Sequence, residues 1–278
     1  IKSLVRQVAA GGMPAVAVTD VSNLFALIKL YKAALGAGIK PIVGVEAWVR
    51  RDGEPARLVL LCQNLAGYRH LTRLVSRGYL EGQQRGVPVI DYGWLLGNTD
   101  GLIALSAGRE GELGQALLND RPDQARAWLA EWRELFPERF YLEVQRTGRP
   151  QEEKYLEAAL DLAAATGTPV VATNEVSFLQ REDFEAHEAR VCIHEGATLD
   201  DPRRPRRYSD QQYLRTPVEM AELFADLPEA LENSVEIARR CNLRLDLGKN
   251  VLPDFPVPEG MPADAYFSAQ ARAGLERR

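Results

Sequence analysis

Short apolar runs alternate with longer stretches of helical periodicity along most of the chain. Each run is apolar at nearly every position, which is typical of a strand buried on both faces of a sheet. The predicted strands are Ala15–Thr19, Ile42–Val49, Leu58–Cys62, Leu102–Ser106, Tyr141–Val144 and Val170–Thr173. Between them, the apolar spacing predicts helices over Leu24–Ala37, Leu65–Gly82, Glu112–Asn119, Pro122–Leu135 and Gln151–Thr166. This alternation predicts an α/β fold in which a parallel sheet, closed or open, is covered by helices.

The pattern changes after Ser177. The segment REDFEAHEARVCIHEG predicts a helix, and DDPRRPRRYSDQQYLR predicts a loop. Thr216 then precedes a proline and stands three residues before Glu219, an arrangement that predicts a capping box at the start of another helix. A further helix is predicted over Pro228–Cys241. The proline-rich stretch VLPDFPVPEGMPADA follows and predicts an extended linker, so we place a domain boundary near Lys249, with domains at 1–249 and 250–278.

Composition excludes several classes of protein. The 278 residues are 46% hydrophobic and 26% charged with a net charge of −5, which is ordinary for a globular chain and offers no overall basic character for generic DNA binding. The three cysteines are far apart and indicate a reducing, cytoplasmic compartment. No apolar run approaches the roughly 20 residues of a membrane span, so no membrane association is expected.

Both ends of the chain have helical character. IKSLVRQVAAGG is an amphipathic helical pattern closed by glycines, and DAYFSAQARAGLERR is still helical where the sequence stops. We therefore expect a piece of a longer protein, with a seventh strand before residue 1.

Polar residues stand where the predicted strands end. Parallel strands direct their carboxyl ends into one mouth, so these side chains are expected to converge. Several carboxylates in one place could bind a hard divalent cation, but Asp and Asn at strand ends also cap helices and shape turns. The residues alone leave both roles open for Asp20, Glu46, Ser106, Glu143, Asn174 and Glu175.

The number and the positions of the histidines argue against a hydrolytic metal centre. The chain has only three, and all of them fall within predicted helices rather than at strand ends. His187 and His194 are two helical turns apart, about 10 Å along the axis, which is too far for one ion. The arginine run from Arg203 to Arg207 follows Asp200 and Asp201, and it is more simply a solvated loop with ion pairs than a phosphate site.

Longer segments carry a family resemblance. VTDVSNLFALIKLYKAALGAGIKPIVGVEAWV resembles the N-terminal PHP (polymerase and histidinol phosphatase) domain of bacterial DNA polymerase III alpha subunits. The resemblance continues in order through RTGRPQEEKYL, PVVATNEVSFL, DFEAHEARVCIHEG and LPDFPVPEG, and so covers essentially the whole chain. It implies a distorted (βα)7 TIM-like barrel whose N-terminal strand is missing from this chain. The RTGRPQEEKYL and HEARVCIHEG segments are similar to the proteobacterial branch.

The resemblance also implies a metal site at the strand ends, which this chain has largely lost. Metal-binding members have Asp-His-Gly where this chain has Asp20-Val21-Ser22, and they share the glutamate found here as Glu46. A histidine is expected at the start of the next strand, where this chain has Arg57.

Two later positions depart in the same way. The family's cysteine after Leu-Ser-Gly is replaced by Gly108, and its Asp-x-His on the last strand is replaced by Glu175 and Ser177. Only carboxylates survive, and Arg57 is expected to form an ion pair with Asp20 or Glu46. We therefore expect a degenerate metal site that binds no metal and contains no catalytic residue.

The functional expectations follow from this resemblance. It implies a structural scaffold in DNA replication that docks the proofreading exonuclease (epsilon) subunit and packs against the palm and thumb of the same polymerase chain. DNA and Mg²⁺ would be bound by the parent polymerase, because this segment lacks the palm carboxylates that nucleotidyl transfer requires. The alternative is a residual metal-dependent phosphoesterase or 3′–5′ exonuclease that uses Asp20, Glu46 and Glu175.

The expected core comes from the predicted strands. Nine apolar positions should fill the barrel or its interface with the helices: Val16, Val18, Ile42, Val43, Leu60, Ile103, Leu142, Val170 and Val171.

Overall fold

The computed structural model describes residues 1–250 and 255–278. Within these ranges there are eight strands: β1 (Ala15–Val21), β2 (Lys40–Arg50), β3 (Ala56–Cys62), β4 (Gln83–Gln84), β5 (Val87–Asp91), β6 (Leu102–Leu105), β7 (Phe140–Gln145) and β8 (Val170–Thr173). The helices are α1 (Lys2–Ala10), α2 (Leu27–Gly36), α3 (Leu65–Glu81), α4 (Glu112–Leu118), α5 (Pro122–Leu135), α6 (Glu152–Thr166), α7 (Phe184–Glu195), α8 (Pro217–Leu223), α9 (Pro228–Arg240) and α10 (Ala263–Glu276). All six predicted strands and all the predicted helices are present, with small differences at their ends.

The strands form one sheet in the order β4-β5-β2-β3-β6-β7-β8, and β1 pairs with the first part of β2. Strand β2 is the longest, and β5 pairs in parallel with its last residues, Trp48–Arg50. Hydrogen bonds in the described residues do not join β8 to β1. The sheet nevertheless surrounds a common interior, because one apolar cluster takes side chains from β2, β3, β6, β7 and β8, with Ala15 of β1 packed against it. The fold is therefore mixed α/β and barrel-like, as predicted.

The prediction of an all-parallel sheet is wrong at β3. This strand pairs antiparallel with both β2 and β6, with Val49 opposite Ala56 at the hairpin end. Residues 51–55 are too few for a crossover connection, which needs a dozen residues or more, so the chain turns directly back. As a result Arg57, at the start of β3, lies on the same rim as the carboxyl ends of the parallel strands.

A second hairpin was not predicted. Strands β4 and β5 are joined by Arg85 and Gly86, which both have positive φ, 52° and 83°. Two consecutive residues of this kind are typical of a type I′ turn, which matches the twist of a two-residue hairpin. The strands are short, and β4 is polar, so the hydrophobic pattern gives little sign of them.

The predicted core is largely confirmed. Seven of the nine positions are buried, and five of them have no more than 2% of their surface exposed: Val43, Leu60, Ile103, Leu142 and Val171. Val16 and Val18 are only partly buried; they pack against the cluster formed by α1, α2 and Ile39 rather than filling the interior. Strand β1 has one hydrogen-bonded neighbour in the described residues, so its side chains are less enclosed than those of the central strands.

The predicted capping box of α8 is present. The Thr216 hydroxyl accepts from the Glu219 amide at 3.2 Å, and the Glu219 carboxylate accepts from the Thr216 amide at 2.7 Å. Helix α9 follows, and Asn233 on it donates to the backbone of Val170 in β8 at 2.8 Å. Helix α9 is thus attached directly to the sheet.

Contacts divide the described chain into two units, Ile1–Arg244 and Leu245–Arg278. The first contains the sheet and α1–α9, and the second contains α10. The assignment of 1–249 and 250–278 as functional domains stays a prediction, and residues 251–254 of the predicted linker lie outside the described residues. In the part of the chain that is described, no helix is long and apolar enough to cross a membrane.

Candidate functional site

The predicted site residues lie around the rim where β1, β2, β7 and β8 end and β3 begins. This rim, here called the mouth, contains Glu46 of β2, Glu143 of β7 and Glu175 after β8, and a fourth acidic residue, Glu110 after β6, is close enough to raise the pKa of Glu46 and Glu175. Glu46, Glu175 and Glu110 are each paired with an arginine. The mouth is therefore a mixed cluster of opposite charges rather than a purely acidic one.

Glu46 is paired with Arg57. The two residues occupy neighbouring strands, and the guanidinium donates to the carboxylate at hydrogen-bond distance. Arg57 also lies over the ring of Trp48, its directly opposite neighbour, with 4.2 Å between guanidinium carbon and ring centroid. Burial raises the pKa of Glu46, Arg57 opposes that rise, and the nearby charge of Glu175 adds to it. The predicted ion pair of Arg57 with Glu46 is present.

Glu175 is paired with Arg149, which lies in the loop between β7 and α6. The Arg149 side chain is only 4% exposed, and it also donates to Gln145 at 2.9 Å and to the Thr147 hydroxyl at 3.0 Å. Burial raises the pKa of the Glu175 carboxyl, while Arg149 lowers it. Glu175 itself has a left-handed backbone conformation with φ of 41°, which costs a non-glycine residue about 1–3 kcal/mol.

The loop that carries Arg149 is held by Glu152, the first residue of α6. Its carboxylate accepts from the backbone amide and hydroxyl of Thr147 and, at 2.7 Å, from the Gly148 amide. These bonds satisfy buried donors in a loop that would otherwise leave them unpaired. Arg149 is therefore presented to the mouth by a rigid turn.

Glu143 lies deeper, between the two ion pairs. One carboxylate oxygen accepts from Thr173 at 2.5 Å and from Gln145 at 3.4 Å, while the other, Oε2, is buried without a partner in the structure. Glu143 is 5% exposed, and burial raises the pKa of its carboxyl to about 7, with further contributions from Glu46 and Glu175. Around neutral pH this residue exchanges a proton, whereas its two neighbours are held by arginines.

Asp20 takes a turn-forming role. Its Oδ2 accepts from the Ala26 amide at 3.2 Å, and Asn23 accepts from the Phe25 amide at 2.9 Å. These two bonds stabilise the turn before α2, and for this reason the helix begins at Leu27 rather than at the predicted Leu24. Arg57 therefore pairs with Glu46 and not with Asp20, the other partner considered for it. The next residue, Val21, is exposed and has no polar group to offer.

Gly108 and Ser177 complete the predicted set. Gly108 follows β6 with φ of 55°, and a Cβ at this position would lie 3.2 Å from the Gln145 side chain. The Ser177 amide donates to the backbone of Gln212 at 2.9 Å, and its hydroxyl donates to the Glu175 carbonyl at 3.4 Å. Both residues thus contribute to the conformation and hydrogen bonding of the local backbone, and neither supplies a strong metal ligand.

The donor set does not fit a hydrolytic metal centre. Among residues 1–250 and 255–278, no group of three or more His, Cys, Asp or Glu side chains could hold a metal ion. No imidazole is at the mouth, and cationic Arg57 and Arg149 lie against the surviving carboxylates. A fixed positive charge beside a carboxylate opposes the binding of a cation there.

The three histidines lie on helices and not at the mouth, as expected from the sequence. His70 on α3 lies 3.2 Å from the Asn98 side chain through Nδ1. His187 is packed against Phe178 and Tyr208, at the edge of the core, and burial lowers its pKa. His194, two turns further along α7, is exposed.

The arginine-rich loop is more strongly attached than predicted. Arg203 pairs with Asp201 at 3.2 Å, in agreement with the prediction of ion pairs inside the loop. Arg204 instead pairs with the buried Glu188 of α7, and Arg207 lies 3.3 Å from Glu195 of the same helix. The loop is therefore pinned to α7 by long-range ion pairs that the sequence does not reveal.

Arg149 is the principal site residue that the sequence did not identify. It stands within RTGRPQEEKYL, which was used only as a mark of resemblance. Glu143 was named among the strand-end polar residues but was not assigned to the degenerate site. The available signal was the Thr-Gly-Arg turn followed by Glu152, since a glycine turn next to an acidic helix start is typical of a structured loop.

Comparison with known proteins gives the class to which a chain with this fold and this mouth belongs. Residues 1–147 match the PHP domain family, and the chain belongs to that family. Over its whole length it is 58% identical to DNA polymerase III subunit alpha of Pseudomonas aeruginosa, and 99% of it aligns at 51% identity with the same subunit of Escherichia coli strain K12. The chain spans about a quarter of those relatives, 24% of each.

The comparison with solved structures gives a weaker likeness. A putative metal-dependent phosphoesterase from Bifidobacterium adolescentis is 13% identical, with a TM-score of 0.44 over 62% of this chain and 80% of that one.

Proposed function

We propose that this chain is the PHP-domain segment of a replicative DNA polymerase, a DNA polymerase III alpha subunit, in which it acts as a scaffold. Similarity of 50–58% over the full chain supports the assignment. DNA polymerisation, with its Mg²⁺ and DNA substrates in the cytoplasm, then belongs to parts of the subunit outside this quarter of its length. The mouth of the segment itself is a degenerate metal site.

The observation that carries this proposal is the pairing of carboxylates with arginines. Glu46 and Glu175 would be the natural ligands of a cation, but each already accepts from a guanidinium. Binding a metal would require breaking both partly buried pairs, leaving Arg57 and Arg149 without their acidic partners. A cation could bind these carboxylates only by displacing the guanidinium groups, so the ion pairs compete directly with metal binding.

The docking role is the finer part of the proposal. We expect the segment to hold the proofreading exonuclease (epsilon) subunit and to pack against the palm and thumb of its own chain. The retention of a fully packed barrel without its metal ligands supports such a role, because a rigid surface remains useful after the chemistry is lost. The complete polymerase subunit and the purified exonuclease subunit should form a complex at micromolar concentration in size-exclusion chromatography.

Metal content tests the degenerate site. The complete subunit would be dialysed against trace Zn²⁺ and Mn²⁺ in the absence of DNA, and metal would be measured by inductively coupled plasma mass spectrometry. Glu46→Gln is measured beside the parent, so that metal bound elsewhere cancels, and a double variant of Arg57→Gln and Arg149→Gln, in which the carboxylates are freed, should bind more metal than the parent. Less than about a tenth of an equivalent at the mouth of the parent agrees with the proposal, and one equivalent that responds to Glu46→Gln contradicts it.

The alternative function is a residual metal-dependent phosphoesterase or 3′–5′ exonuclease. The observation in its favour is the convergence of Glu46, Glu143 and Glu175, with one Glu143 oxygen unpartnered. It predicts metal-stimulated release of phosphate or nucleotides that is lost in Asp20→Asn and in Glu46→Gln. Activity that survives both changes would come from a contaminant, and no activity at all would leave the scaffold as the function.

A further inference from the structure

The outward side of α2 carries large apolar side chains. Ile28 is 43% exposed and Leu35 is 54% exposed, and Phe25, in the turn that leads into the helix, is 82% exposed. Residues at positions i, i+4 and i+7 lie on one side of a helix, so Ile28, Lys32 and Leu35 form a row about 10 Å long. Buried Leu30 lies on the opposite side and packs in the cluster shared with α1. We call Phe25, Ile28, Lys32 and Leu35 the α2 row.

The charges in and beside the row all have the same sign. Lys29 and Lys32 are exposed, and in the described residues neither has a side-chain hydrogen bond or an ion pair. Neighbouring α1 adds Lys2 and Arg6, which are exposed and likewise unpaired within those residues. Neither helix contains an acidic residue. This two-helix region is therefore locally basic in a chain of net charge −5.

The spacing of the row indicates what kind of structure covers it. Apolar side chains three and four residues apart form the seam by which one amphipathic helix packs against another. Lys32 stands inside this seam and Lys29 stands beside it, and charged residues at such positions select a partner helix of opposite charge. The occupant that fits is therefore an amphipathic helix whose apolar seam is flanked by Asp or Glu.

Other occupants fit the row less well. A second copy of α2 would bring like charges together, because Lys32 is at the middle of the row. Single-stranded nucleic acid would find one aromatic ring, that of Phe25, among aliphatic side chains that offer no stacking surface. The rest of the same polymerase chain would form a permanent interface, and such interfaces are more apolar than a row interrupted by an unpaired lysine.

We propose that the α2 row is the docking site for an acidic amphipathic helix of the proofreading exonuclease subunit. The proposal rests on the docking role given above, and it adds the face of the segment and the chemistry of the partner's helix. A separate subunit has to be captured from solution. An exposed apolar anchor with free lysines suits this task, since the lysines speed the encounter and the apolar contacts slow dissociation.

Fluorescence anisotropy of the labelled exonuclease subunit with the complete polymerase subunit measures the affinity. The apolar variant has Ile28→Ser and Leu35→Ser, and its affinity should fall at least about tenfold at every salt concentration, because salt does not screen apolar contacts. The charge variant has Lys29→Glu and Lys32→Glu. Its affinity should fall about tenfold at about 50 mM salt and much less at about 500 mM, because salt screens exposed charges.

Matched variants control for composition and charge. Leu80→Ser and Val218→Ser remove two exposed apolar side chains from α3 and α8. Arg121→Glu and Arg126→Glu reverse two exposed charges in the region of α5. Both controls should bind the exonuclease subunit as the parent does, and α2 variants that bind no more weakly than their controls would overturn the inference. Thermal melting checks folding, and the charge variant leaves the half-buried Ile28 in place.

Photocrosslinking identifies the occupant. Benzoylphenylalanine replacing Gly36, which is exposed at the end of α2 where an added side chain meets open space, should crosslink to the exonuclease subunit. The crosslinked peptide, identified by mass spectrometry, should have acidic residues beside apolar ones at helical spacing. Crosslinks to another part of the polymerase chain, to a second copy, or to added oligothymidine in preference to the exonuclease would refute the proposal.

Binding by the parent subunit separates this proposal from the docking role on which it rests. If the parent does not bind the exonuclease subunit, the docking role itself fails. If the parent binds and the α2 variants bind equally well, the docking role stands and only the α2 row is refuted. Loss of binding confined to the α2 variants supports both.

Discussion

Replacing Glu143 by glutamine should stabilise the fold at alkaline pH. The carboxyl is buried, and its pKa is raised from an ordinary 4.5 to about 7, so ionising it in the folded protein is unfavourable. A shift of this size corresponds to about 3 kcal/mol at 1.36 kcal/mol per pKa unit. Glutamine has nearly the same shape but cannot ionise, so it removes this cost. Its amide has no acceptor at the position of Oε2, which reduces the expected gain to about 1–3 kcal/mol.

The pH dependence gives the sign of the effect. A folded pKa above the unfolded one means that the folded state holds the proton more tightly between pH 4.5 and about 7. The free energy of unfolding of the parent should therefore fall as pH rises through this window, and the contribution of Glu143 should be constant above it. The Glu143→Gln variant should lack that fall.

Urea unfolding at a series of pH values between 4 and about 8.5 measures the difference. Glu157→Gln, at an exposed position on α6, is the matched control and should follow the parent at every pH. The reasoning is refuted if Glu143→Gln is destabilised at pH 8 as much as it is at pH 4. That result would mean that the ionised carboxylate has a favourable partner.

Three further predictions concern the free energy of unfolding, measured by urea titration. Arg149→Met should lower it by about 2–3 kcal/mol because it leaves the partly buried Glu175 carboxylate without its cationic partner, whereas exposed Arg126→Met should change it by less than about 0.5 kcal/mol. Similar losses in both variants would contradict the pairing described for Arg149. Thr216→Ala should cost about 1 kcal/mol through loss of the α8 cap, and no change would show that the cap is dispensable. Ile103→Ala should cost about 2–4 kcal/mol from the barrel interior, while exposed Leu80→Ala should be nearly neutral, and a small loss at Ile103 would argue against the shared interior cluster.

Local patterns predicted much of the fold. Apolar runs located the central strands because those strands are buried on both faces, and Thr216 located a helix start because capping is a short-range interaction. The direction of β3 was not predictable in this way. Its apolar run is the same whether the strand is parallel or antiparallel, and only the short connection before Ala56 distinguishes the two.

The candidate site, like the fold, could be predicted from local sequence patterns only in part. Carboxylates at strand ends could be named from the sequence, and the pairing of Arg57 with Asp20 or Glu46 was expected because the family resemblance places Arg57 in the same cluster of positions. Arg149 reaches Glu175 across 26 residues through a loop whose shape depends on several buried hydrogen bonds. No periodic pattern encodes such a contact, so the second arginine of the mouth could not be predicted.

The hairpin of β2 and β3 has a consequence for the order of folding. Residues 40–62 contain both strands, and their pairing closes only the short loop at 51–55. Hairpins of this kind form within about 1–10 μs, whereas contacts between distant parts of the sequence form more slowly. During synthesis the hairpin can form long before β7 and β8 exist. We therefore expect its amide protons to be the first protected from exchange with solvent, and the mouth, assembled from residues 46 to 175, to be completed late.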